Sequence, residues 1–107
     1  MFPEHPNLLP AFRTAEPLMG NYARKPLFGR EGANITLCIN GKETSTPGDY
    51  ADGEFIYQQL LTPPCLDGFY PVIGSWIVQD VAAGIGIRES NTPITQNTSG
   101  FVPHYFN

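Results

Sequence analysis

The chain has 107 residues, 41% of them hydrophobic and 12% aromatic, which suits one compact domain with a real core, not two, and excludes a disordered chain. Its net charge of −4, from six Lys and Arg against ten Asp and Glu, excludes the basic field that a duplex or an anionic membrane requires, so neither nucleic acid nor membrane is expected as a partner. Eleven Gly and eleven Pro without a period exclude collagen and a long helical bundle, and predict short strands with many turns.

Taken in order, the first twenty residues carry Pro3, Pro6, Pro10 and Pro17 among apolar Leu8, Leu9, Phe12, Leu18 and Met19. Proline at that density allows a helical turn at most and removes ladder donors from a strand. Residues 1–20 are therefore expected to be a proline-rich lead-in that packs on something larger, normally an upstream domain, and residues 21–107 a separate subdomain. Met1-Phe2-Pro3-Glu4-His5-Pro6 has neither a basic start nor an apolar core, so it does not read as a signal peptide, and the expected location is the cytoplasm. Cys38 and Cys65 are then expected as thiols, Cys38 as a small buried hydrophobe.

Tyr22-Ala23-Arg24-Lys25 is a short strand stopped by Pro26, and residues 29–32 are a loop. Residues 34–39 form a second strand closed by the Asn40-Gly41 turn signal, so the two strands suit a hairpin. Residues 42–53 are polar, rich in Gly and acidic, and read as a long exposed loop. Residues 55–61 are the next strand, stopped by Pro63-Pro64. Residues 70–78 and 81–88 are two strands joined at Gln79-Asp80, with Ile85 and Ile87 on one face and Gly84, Gly86 and Arg88 on the other. The tail, residues 92–107, is expected to run extended over a neighbour. The predicted class is α+β, mostly antiparallel β-sheet with little helix.

Three constellations carry chemistry. Lys25 ends a strand four residues before the Gly29-Arg30-Glu31-Gly32 loop. Glycine lets such a loop reach positive φ and bring N–H groups onto phosphate oxygens, and a neighbouring lysine adds a point charge. The lysine precedes the glycines, so this is not a P-loop; its order resembles a hairpin that closes over a nucleotide. On pattern alone, an ordinary tight hairpin with an exposed Arg and Lys accounts for the same residues more simply. In Ile56-Tyr57-Gln58-Gln59-Leu60-Leu61 a strand's backbone could bond an adenine edge between apolar side chains; an ordinary strand with surface glutamines fits equally. Arg88, beside Glu89 and Ser90, could reach a phosphate or carboxylate, or pair with Glu89. His5 and His104 stand far apart with no further ligand at zinc spacing, and Ser75 lacks a nucleophile elbow.

Together these segments resemble the C-terminal part of the glutathionylspermidine synthase family, whose synthetase domain is an ATP-grasp enzyme. The resemblance is carried by residues 1–10, by Lys25-Pro26-Leu27-Phe28-Gly29-Arg30-Glu31-Gly32-Ala33-Asn34-Ile35 and by Ile56-Tyr57-Gln58-Gln59-Leu60. It continues through residues 67–74, Gly86-Ile87-Arg88-Glu89 and Ser99-Gly100-Phe101-Val102-Pro103-His104. It covers nearly the whole chain in the family's order. The Gly-Arg-Glu-Gly loop and the Phe-Val-Pro-His end are closer to stand-alone synthetase-like members than to those that also carry an amidase.

The resemblance implies a nucleotide-clamp subdomain of an ATP-grasp fold. It makes Lys25 a phosphate-contacting lysine, Gly29, Arg30, Glu31 and Gly32 the flexible loop over the phosphates, and Gln58, Gln59, Leu60 and Leu61 the hinge beside the adenine. Arg88, Glu89 and Ser90 match a segment that also faces the nucleotide. The implied chemistry is ATP-dependent amide formation, in which a carboxylate is phosphorylated and the acyl phosphate is attacked by an amine, with Mg2+ on the phosphates. The family's magnesium ligands, catalytic Arg and a second ATP-contacting lysine fall upstream of Met1, so the chain is expected to be a C-terminal fragment, inactive as a ligase alone. A non-catalytic module that self-associates, or completes a synthetase in trans, is the alternative.

Overall fold

The computed structural model describes residues 5–105; the first four residues of the lead-in and the last two of the tail lie outside the described residues. Contacts divide the chain into two compact units, Met1–Leu61 and Thr62–Asn107. Both are built from antiparallel strands, as the sequence leads one to expect, and helix among the described residues is limited to a 3-10 turn at Glu16–Leu18.

The first unit is a five-stranded sheet. Its strands are β1 (Ala11–Phe12), β2 (Tyr22–Pro26), β3 (Thr36–Ile39), β4 (Lys42–Ser45) and β5 (Phe55–Gln59), in the spatial order β1-β5-β2-β3-β4. β2 ends where Pro26 brings no N–H to the ladder, and β3 is the apolar Thr-Leu-Cys-Ile run whose first three residues are buried. Leu37 and Cys38 form the core of this unit, each under 10% exposed, and burying a side chain such as Leu37 contributes about 2 kcal/mol. Cys38 is a free thiol, as is the exposed Cys65. Part of the lead-in is in the sheet: Ala11 and Phe12 pair with Gln58 and Tyr57 of β5.

One element departs from expectation. Lys42–Ser45, read as the start of a long loop, is strand β4, paired in register with β3. Asn40 and Gly41 take φ of 51° and 79°, the two-residue turn that favours a hairpin. An edge strand exposed along its length needs no apolar alternation, and its charges discourage further pairing. Its hold on β3 is polar: the Thr36 and Ser45 hydroxyls meet at 2.8 Å.

The second unit is a three-stranded sheet of β6 (Tyr70–Val78), β7 (Val81–Ser90) and β8 (Gly100–Val102), in that order. The long β6–β7 hairpin turns at Gln79 and Asp80, both with positive φ (49° and 63°), and a bulge lies at Trp76/Ile77. The register confirms the expected alternation, because Ile87 pairs with Val102 and Ile73 while Gly86 pairs with Gly74. Within the tail, residues 100–102 are a paired strand on β7, and Ile94 is the unit's buried apolar residue among those described. Ile73, Trp76, Ile77, Val78 and Val81 are each more than half exposed. No helix among the described residues is long and apolar enough to cross a membrane.

Candidate functional site

In a β-strand alternate residues face opposite sides, so register decides which side chains of β2 and β5 share a face. Ala23 stands opposite Gln58, and Lys25 opposite Ile56. All four therefore lie on one side of the first sheet, and the diagonal places Lys25 Nζ 2.6 Å from Gln58 Oε1, a part-buried hydrogen bond in which the ammonium donates. The phosphate lysine and the first hinge glutamine of the sequence reading are thus in direct contact. An ammonium held by one acceptor keeps two donors for an oxyanion.

The other face of the same strands carries Tyr22, Arg24, Phe55 and Tyr57. The Arg24 guanidinium lies 4.1 Å over the Phe55 ring, and Tyr22 meets Tyr57 edge to face at 5.3 Å. Arg24 Nε is buried without a hydrogen-bond partner. The Tyr22 hydroxyl donates to Glu43 Oε1 at 2.6 Å. That bond, reinforced by burial, raises the Tyr22 pKa far above its ordinary value.

The 29–32 loop joins β2 to β3. Ala33 N–H returns to Arg30 C=O at 2.9 Å, and the two residues between them, Glu31 and Gly32, have φ of 55° and 75°. Among the described residues the N–H groups of Arg30, Glu31 and Gly32 have no protein acceptor. Arg30 and Glu31 are exposed. Three consecutive open amides on a tight turn next to a lysine-bearing strand form an arrangement that can receive an anion.

The other residues expected to form the hinge, Gln59, Leu60 and Leu61, are placed differently. Gln59 and Leu60 border a cavity of about 380 Å³ shared with Phe12, Pro17, Leu18 and Met19. Phe12 pairs with Tyr57, so Gln59 and Phe12 lie on the sheet face opposite Lys25 and Gln58. Leu61 is 72% exposed. In the second unit, Arg88 Nη2 donates to the carbonyls of Gln96, Asn97 and Ser99 at 2.8–3.0 Å, and Nε to Ser99 at 3.2 Å. Its guanidinium also stands 5.2 Å from the Phe101 ring. Glu89 and Ser90 open onto a polar cavity of about 420 Å³ with Thr92, Gln96 and Ser99. Arg88 has no ion pair with Glu89; the Arg13–Glu54 contact is the ion pair found among the described residues.

Thr46, Asn34 and Tyr50, not among the residues expected in the site, tie the loop to the segment after β4 (the Thr46 hydroxyl bonds Gly32 and Ile35, and Tyr50 N–H bonds Asn34 Oδ1). Their one signal in the sequence is the Thr-Pro-Gly after a polar run, which lies inside the polar stretch of residues 42–53. For a divalent metal, no group of three or more His, Cys, Asp or Glu comes together among the described residues. These residues therefore offer no all-protein cage for a metal.

Comparison with known proteins gives a family and several relatives. The family model described as glutathionylspermidine synthase preATP-grasp matches residues 1–107. An acid–amine ligase, so described, of Haemophilus influenzae is 45% identical over 98% of this chain and 29% of its own length. Trypanothione synthetase of Crithidia fasciculata is 37% identical over 92% of this chain and 16% of its own. The bifunctional glutathionylspermidine synthetase/amidase of Escherichia coli is 33% identical over 96% of this chain and 17% of its own. The chain thus spans less than a third of the length of each relative.

Proposed function

The chain belongs to the glutathionylspermidine synthase family, and from that premise we propose that it supplies one wall of the ATP site of an ATP-dependent carboxylate–amine ligase. The observation that carries this reading is the 2.6 Å contact of Lys25 with Gln58 beside the open amides of the glycine loop. Lys25 would hold phosphate oxygens with its remaining donors, and Gly29, Arg30, Glu31 and Gly32 would cover them. Gln58, Gln59, Leu60 and Leu61 would line the adenine side. Within the second unit, Arg88, Glu89 and Ser90 are further candidate nucleotide contacts, for which Arg88 would use Nη1 or exchange carbonyl acceptors for phosphate.

In the full reaction, ATP would phosphorylate a carboxylate and an amine would displace the phosphate to form an amide. Magnesium would neutralise the nucleotide's phosphates, with its protein ligands supplied by groups other than these residues. The proposed role in isolation is therefore nucleotide contact without ligase turnover, in the cytoplasm. Titrating Mg-ATP while following backbone amide resonances tests it. Saturable shifts at Gly29 and Gly32, lost in Lys25→Met, are expected; no shift at either glycine at millimolar Mg-ATP would remove the reading.

A second reading is favoured by one observation, the exposed Ile73, Trp76 and Ile77 on β6. A strand edge of this apolar character can seat another chain, so the module could self-associate or complete a synthetase in trans. Light scattering separates this from a nucleotide-only role: a monomer at high concentration would count against it.

A further inference from the structure

The loop between β2 and β3 is anchored unequally. Its first half makes one bond back to β2, Gly29 N–H to Pro26 C=O at 3.4 Å, and Phe28 is 84% exposed. Its second half is tied to the segment after β4 at Gly32, Asn34 and Ile35. Thr46 N–H bonds Ile35 C=O at 2.9 Å, Asn34 N–H bonds Pro47 C=O at 3.3 Å, and Tyr50 N–H bonds Asn34 Oδ1 at 2.8 Å. The part-buried Thr46 hydroxyl joins both ends of this region: it accepts from Ile35 N–H at 3.1 Å and lies 2.5 Å from Gly32 C=O. A hydroxyl has one proton to give. Gly32 C=O is nearer than Ile35 C=O, at 3.3 Å, so the donation goes to Gly32.

We propose that Thr46 is a positioning residue that latches the carbonyl of Gly32 and so sets the direction of the open amides at Arg30, Glu31 and Gly32. The nucleotide part of this inference rests on the function proposed above. Gly32 sits at φ 75°, where its peptide plane can turn without a Cβ to stop it. Turning the Gly32–Ala33 peptide would break the Thr46 bond and disturb the Ala33 N–H bond to Arg30. With the latch made, the loop's base is rigid and the motion of a closing lid is confined to its exposed first half. An anion then meets amides already oriented, which lowers the ordering cost of binding.

The test compares Thr46→Val, which keeps the shape and removes the hydroxyl, Thr46→Ser, which restores it, and Thr46→Ala as a second deletion. Loss of one part-buried hydrogen bond corresponds to roughly tenfold faster local opening. Hydrogen exchange at Ala33, whose N–H bonds Arg30 C=O, and at Ile35 should therefore rise about tenfold in Val and Ala variants and return in Ser, while Leu37 and Cys38 in the β3 ladder stay protected. Unchanged loop exchange in Thr46→Val would overturn the proposal. So would a melted β3 ladder in both deletions, which would make Thr46 a general structural residue. In the nucleotide arm, Mg-ATP affinity should fall about tenfold in Thr46→Val and recover in Thr46→Ser. If the native chain shows no Mg-ATP shifts while the exchange pattern holds, the function proposed above fails and the latch stands.

Discussion

Tyr22 on β2 and Glu43 on β4 are joined by a 2.6 Å hydrogen bond that passes over the intervening strand β3 at Cys38. Phenol and carboxylate together clamp the three strands that carry the glycine loop at one end and the Asn40-Gly41 turn at the other.

The clamp has a pH signature. Glu43, as acceptor, favours the protonated phenol and raises the Tyr22 pKa. A group whose folded pKa is raised contributes stability that is complete below its unfolded value, about 10 for tyrosine, and is lost as pH rises through the folded value. Tyr22→Phe is therefore expected to cost about 1 kcal/mol near pH 7. The difference between native and variant should shrink as the pH is raised above about 10, which urea denaturation at several pH values will measure.

Lys25 and Gln58 give a second expectation. Gln58→Leu should leave the sheet folded, since Gln58 is only part-buried and pairs through its backbone with Ala23. It should nevertheless weaken Mg-ATP binding about tenfold by freeing the lysine to sample other rotamers. Isothermal titration of both variants against the native chain checks the order expected: Lys25→Met weakest, Gln58→Leu intermediate.

Gly48 is closed in on one side. A Cβ there would collide with Asn34 Oδ1 and Ala33 Cβ, the residues that follow the glycine loop. Gly48→Ala should cost about 1–3 kcal/mol as an overpacking change, and the Tyr50 amide resonance should move as Asn34 is displaced. Thermal denaturation and one heteronuclear spectrum decide this.

Arg88 supports the segment that carries Ile94. Arg88→Met removes the donors to Gln96, Asn97 and Ser99 and is expected to cost about 2 kcal/mol, the range for hydrogen bonds from a charged group. Exchange should rise at Gln96, whose own N–H bonds Ser99 Oγ at 3.0 Å, before it rises in β6.

Much of the sheet was legible in the sequence, for reasons that can be named. β6 and β7 are long apolar runs on either side of a two-residue turn, and β3 is an aliphatic run closed by Asn-Gly. β4 was not legible, because Lys-Glu-Thr-Ser has no period-two apolar signal and owes its strand to the neighbour it pairs with. Lys25 and the loop glycines could be singled out by type and spacing. That Lys25 reaches Gln58, 33 positions away, follows only from the β2–β5 register. Thr46 is marked only by the Thr-Pro-Gly that follows a polar run, and its chemistry lies in whom its hydroxyl meets. The placing of Gln58 on one face of β5 and Gln59 on the other follows from strand alternation once β5 is fixed.

Consider finally the neighbours Arg24 and Lys25. Adjacent on β2, they point to opposite sides of the sheet, one over Phe55 and the other against Gln58. A slip of β2 by a single residue would exchange them, setting a planar, permanently charged guanidinium where a compact ammonium now stands. Composition and net charge would be untouched, yet the cation on that face of the sheet would be a different one. An insertion or deletion of one residue within β2 is thus a change of chemistry disguised as a change of length.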